Sequence, residues 1–83
     1  MTVTFQANLT DTEYNGWTNY ETWNVALWLQ NDEGLYYLCR DIGNYVDTID
    51  LLKDEGTVAT PDGVRYDDPK VNVIQINSEV FDF

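Results

Sequence analysis

Histidine is absent from this 83-residue chain, cysteine occurs once, and only four bases stand against fifteen acids. Each scarcity removes a class of function. Without histidine there is no imidazole to activate a serine or cysteine nucleophile, and a principal ligand of zinc is missing. The lone Cys39 can form no internal disulfide, which suits a reducing compartment or an apolar position for a small hydrophobe. The five glycines are isolated from one another, so no phosphate-cradling loop can be built from them. The opening MTVTFQANLTDTEYNG lacks the basic and apolar regions of a secretory signal, which makes Asn8-Leu9-Thr10 a chance glycosylation sequon. The longest apolar stretch is VALWL, far short of the roughly 20 residues a membrane span needs. A cytoplasmic protein that binds no membrane is expected.

What is present is core-forming material and negative charge. The chain is 43% hydrophobic and 14% aromatic, too rich in core formers for disorder, so residues 1–83 read as one domain. The net charge is -11, a field that repels nucleic acid and anionic membranes and attracts basic protein surfaces. Solubility alone is the competing explanation.

Thr2 to Ala7 is β-prone and reads as an edge strand or an ordered arm. Thr18 with Glu21 reads as a capping box, opening a helix to about Gln30 in which Trp23 and Leu27 belong to the core. Asn31-Asp32-Glu33-Gly34 starts a second helix. Its apolar positions Leu35, Leu38, Cys39, Ile42, Tyr45, Val46, Ile49 and Leu52 run unbroken to Lys53, with Gly43 on the polar side and Gly56 as a stop. The segment 57–66, turning at Pro61-Asp62-Gly63, reads as a β-hairpin. The tail mixes β-branched residues with helical spacing, and Asn72 with Gln75 favours a short C-terminal helix. The expected class is α+β: two main helices, a short β-hairpin, an N-terminal strand and that last helix.

Catalytic patterns fail in turn. The calcium-loop alternation of acids around a glycine is absent, and Asp47 with Asp50 sits on a polar helix face where solvated acids are ordinary. The expectation is a binding protein without cofactor or metal. Asp47, Asp50 and Asp54 fall within about 60° of arc opposite the apolar stripe, with Glu55 beside them. Neighbouring carboxylates about 5–6 Å apart can occupy the Lys and Arg positions that a protein uses for DNA phosphates. Asp62, Asp67 and Asp68, in and after the hairpin, form a second acidic group diluted by Arg65 and Lys70, of which Asp67 and Asp68 join the candidates, and Tyr36 and Tyr37 lie off the centre of the apolar stripe, suited to an aromatic interface. These eight residues are the candidate partner-binding set.

The stretch GWTNYETWNVALWLQNDEGLYYL, residues 16 to 38, resembles the signature of a family of small phage, plasmid and prophage proteins that read TNYETWNVALW followed by NDEGLY. TPDGVRYDDPKVN, residues 60 to 72, is similar to that family's second block, which leads into a C-terminal helix. The resemblance implies a mobile-element setting inside a bacterial host. With the small size and acidity, the chain resembles anti-CRISPR and anti-restriction DNA mimics, which implies a basic host partner, a Cas subunit of a type I surveillance complex foremost. No direct contact with nucleic acid is expected, and the chain acts as monomer or homodimer. The alternative is a small accessory or regulatory protein working through an aromatic interface.

Overall fold

Polar residues at the helix starts set the boundaries of four short helices in the computed structural model, which describes residues 14–82. Helix α1 spans Tyr20–Asn31, and its cap is Asn19, whose side chain accepts from the Thr22 amide. The sequence points to Thr18 for this role; Thr18 is taken up elsewhere. Asp32 both ends α1 and caps α2, Glu33–Ile42, by accepting from the Leu35 amide at 3.0 Å.

The long second helix expected through Lys53 is two helices. Gly43 adopts a left-handed φ of 91° and its amide bonds the Cys39 carbonyl, closing α2. That conformation is open to glycine at little cost. Asn44 then caps α3, Tyr45–Asp54, which ends at Glu55 and Gly56 with the Thr57 amide donating back to the Leu52 carbonyl. Helix α4, Val73–Glu79, is the anticipated C-terminal helix, capped by Asn72 accepting from the Gln75 amide.

The α+β expectation is wrong: the described residues hold four α-helices and no strand, only isolated bridges at Tyr14 with Trp17 and Ala59 with Arg65. The 57–66 segment turns where a hairpin would, with the Thr60 amide donating to the Val64 carbonyl and the Tyr66 amide to the Val58 carbonyl. These bonds make one isolated bridge, Ala59 with Arg65, and no ladder, while the segment's Thr60 and Asp62 side chains bond to α1. The strand expected at residues 2–7 lies outside the described residues.

Helix α1 packs on α2 and α4, α2 on α3, and α3 on α4. Val25 and Leu29 of α1, Cys39 of α2, Tyr45 of α3 and Ile76 of α4 are at or within 1% of complete burial. Trp23 and Leu27 are only half-buried, because the buried side of α1 runs through Thr22, Val25, Ala26 and Leu29 instead. Trp23 stacks outside the core with Tyr14 and Tyr20, at 4.8 and 5.7 Å between ring centroids.

Two polar clamps tie later segments of the chain to α1 and the residues just before it. In one, Gln75 Oε1 accepts from both the amide and the hydroxyl of Thr18, Asn72 Nδ2 donates to Thr18 Oγ1, and the Asn72 amide donates to Thr22 Oγ1. In the other, the Thr60 hydroxyl donates to Asn24 Oδ1 at 2.7 Å, while Asn24 Nδ2 and Trp28 Nε1 donate to Asp62 Oδ2 at 2.8 and 2.9 Å. Among the described residues no helix is long and apolar enough to cross a membrane.

Candidate functional site

Helix α3 divides its surface cleanly. Tyr45, Thr48 and Leu52 are buried, and the opposite side carries Asp47, Asp50 and Asp54, all exposed. The spacing of three, four and seven residues puts the three carboxylates in one row. They are not equivalent. Asp47 is paired reciprocally with the cap residue: Asn44 Oδ1 accepts from the Asp47 amide and Asn44 Nδ2 donates to Asp47 Oδ2, each at 2.9 Å. Its charge is also favoured by the helix N-terminus. Asp50 and Asp54 make no hydrogen bond or ion pair among the described residues, and as an i,i+4 like-charge pair they cost the helix a few tenths of a kcal/mol.

The α3 base that could neutralise the row is diverted from it. Lys53 reaches Asp67 at 3.8 Å, and Arg65 grips the same carboxylate through Nε at 2.9 Å and Nη2 at 3.2 Å. The Arg65 hydrogen bonds hold the Asp67 carboxyl below its ordinary range. Asp68 accepts from the Lys70 amide at 2.8 Å and so shapes its own turn. Asp67 and Asp68 therefore do not extend the acidic row: Asp67 lies near the end of α3, but with two cations around it.

Tyr36 and Tyr37 sit on α2, 37% and 49% exposed, with rings 5.5 Å apart edge to face and the Arg40 guanidinium 5.6 Å from the Tyr37 centroid. They lie on a different helix from the α3 row. Glu55, just past α3, faces a groove of about 470 Å³ between α2, the end of α3 and the 57–66 segment. Sequence reasoning does not anticipate this groove, because its walls come from three separated stretches of chain.

No group of three or more His, Cys, Asp or Glu suited to a metal ion occurs among the described residues. Burial pushes the Cys39 thiol up to about 11, which leaves it protonated and unreactive at neutral pH. The Tyr45 phenol is likewise raised by burial and donates to the Tyr66 carbonyl inside the core.

Asp62 belongs to the second clamp and not to an acidic patch. The donors Asn24 and Trp28 hold its carboxyl below the ordinary value. A carboxyl whose folded pKa is depressed adds stability above its unfolded pKa of about 3.9 and loses it as the pH falls through the folded pKa. On acid titration followed by NMR, the Trp28 indole Nε1–H resonance is expected to shift with a midpoint below that of a free aspartate, and Asp62→Asn should remove the transition. A midpoint at or above the free value would show that the two donors do not favour the charged form.

A family model for a family of unknown function, DUF7249, matches residues 10–82. No curated protein and no solved structure matches the chain.

Proposed function

We propose that this chain, which belongs to the DUF7249 family, is an inhibitor that binds a basic nucleic-acid-binding surface of a bacterial defence complex and keeps target DNA off it. It acts by binding, without catalysis or a cofactor, and touches neither nucleic acid nor membrane. In its narrower form it is an anti-CRISPR protein whose target is a type I surveillance complex; the likeness of residues 16 to 38 to phage and plasmid proteins supports that setting.

The observation that carries the reading is the exposed Asp47, Asp50 and Asp54 row on α3, with Lys53 turned away to Asp67. Acids repelling one another on a short helix do not serve its stability. Against a surface built to hold phosphates the same repulsion becomes attraction, and a net charge of -11 steers the encounter.

A plasmid-interference assay in a host with an active type I system tests this directly. Expression of the protein is expected to restore transformation by a targeted plasmid, and the Asp50→Lys/Asp54→Lys form should not. Unchanged interference in the presence of the well-expressed protein would refute the anti-CRISPR form.

The Tyr36–Tyr37 pair with Arg40 favours a second reading, an accessory protein that binds through aromatic contacts. Under it, Tyr37→Ala weakens partner binding more than reversal of the α3 acids does.

A further inference from the structure

The groove beside Glu55 combines three properties that together specify an occupant. Its floor is apolar, formed by Leu35, Leu38 and Leu52 with Trp28 and Tyr66. Its polar rim is acidic at both sides, Asp32 at the start of α2 and Glu55 at the end of α3, and none of the four bases lines it. The third property is an unused hydrogen-bonding group. Tyr66 is 2% exposed, it lines the groove together with Asp32, and its hydroxyl has no hydrogen-bond partner among the described residues. A buried hydroxyl is ordinarily hydrogen-bonded.

We infer that this groove docks a basic–apolar peptide segment of a protein partner, a large aliphatic side chain entering between Leu35, Leu38 and Leu52 while flanking Lys or Arg residues pair with Asp32 and Glu55. A backbone carbonyl of that segment completes the Tyr66 hydroxyl. A neutral apolar ligand would leave the acidic rim unmatched, and a second copy of so acidic a chain would bring like charge to it. The inference rests on the reading of a basic protein partner given above, and adds the anchor that gives such a partner specificity. Long-range attraction to the α3 row sets the approach; burial of one side chain sets the register.

Short fluorescein-labelled peptides test it: one with a central leucine flanked by lysines, one with serine for the leucine, and one with glycine for the lysines. The lysine–leucine peptide is expected to bind about tenfold or more tightly than the lysine–serine peptide, the worth of one buried aliphatic side chain. In 1H–15N spectra its addition should move the amides of Leu35, Leu38, Thr57 and Tyr66. Thr57→Trp, which fills the groove from an exposed position, should abolish the leucine advantage, and Glu55→Lys should weaken both lysine peptides. Equal binding of the leucine and serine peptides, with shifts confined to α3, would overturn the groove inference and leave the acidic-row reading standing. Tight binding of the lysine-free peptide would overturn the requirement for a basic partner. Groove shifts that grow with protein concentration alone would assign the groove to a second copy.

Discussion

Asn24→Ala is expected to lower the free energy of unfolding by about 2–4 kcal/mol, a large part of what a domain of this size has. Asn24 is completely buried in α1, yet helix propensity gives no reason for an asparagine there. Its carbonyl accepts from Thr60 and its amide donates to Asp62, so one side chain holds both sides of the TPDG turn against the helix. Removal takes away Thr60's hydrogen-bond acceptor and one of the two donors to Asp62, and opens a small cavity. The Val64 amide, which leans on Thr60 Oγ1 at 3.2 Å, loosens with them. Urea denaturation followed by tryptophan fluorescence measures the loss. A change below about 0.5 kcal/mol, the range of ordinary surface substitutions, would mean the clamp is ornamental.

The clamps join two stretches of the chain, residues 16–38 and 60–72. Asn19, Thr22, Asn24 and Trp28 of the first block meet Thr60, Asp62, Lys70 and Asn72 of the second through side-chain hydrogen bonds. These bonds join the two stretches into one structural unit, so their side chains serve the fold. The acids of α3 lie outside both stretches and take no part in those bonds.

Local signals were readable and long-range ones were not. Asp32 before an amphipathic run, Gly56 after one, and Asn72 three residues before Gln75 each announce a helix end through bonds made within a few positions, and all three hold. The break at Gly43 was written locally too, as glycine followed by a capping asparagine with Asp47 three residues on. The apolar spacing continues across it because α2 and α3 pack on the same core, and that continuity hides the kink. The 57–66 segment misleads for another reason: its turn chemistry is that of a hairpin, but its partner is a helix 36 residues away, through Thr60 and Asn24. Of the eight candidate residues, Asp47, Asp50 and Asp54 share a face as helical spacing requires, whereas the capture of Asp67 by Arg65 and Lys53 depends on packing.

The second large effect falls on binding and spares the fold. Asp50→Lys with Asp54→Lys takes the net charge from -11 to -7, since each replacement adds two charges and two replacements add four. Neither carboxylate has a partner within the described residues, so stability should move by less than about 0.5 kcal/mol. If the row meets a phosphate-binding surface, each reversal turns an attraction into a repulsion there, and affinity at low salt should fall about 100-fold. Asp47→Lys is the less informative variant, because it also removes the acceptor of the Asn44 side-chain amide and puts a cation at the start of α3.

The most direct measurement is competition on a purified type I surveillance complex carrying labelled target duplex, followed by anisotropy across a salt series. Displacement of the duplex by the protein, an affinity that falls steeply with salt, and loss of both effects in the Asp50→Lys/Asp54→Lys form are the predicted results. A complex that holds protein and duplex together, at an affinity indifferent to salt and to the two reversals, would contradict the α3 row as the working surface.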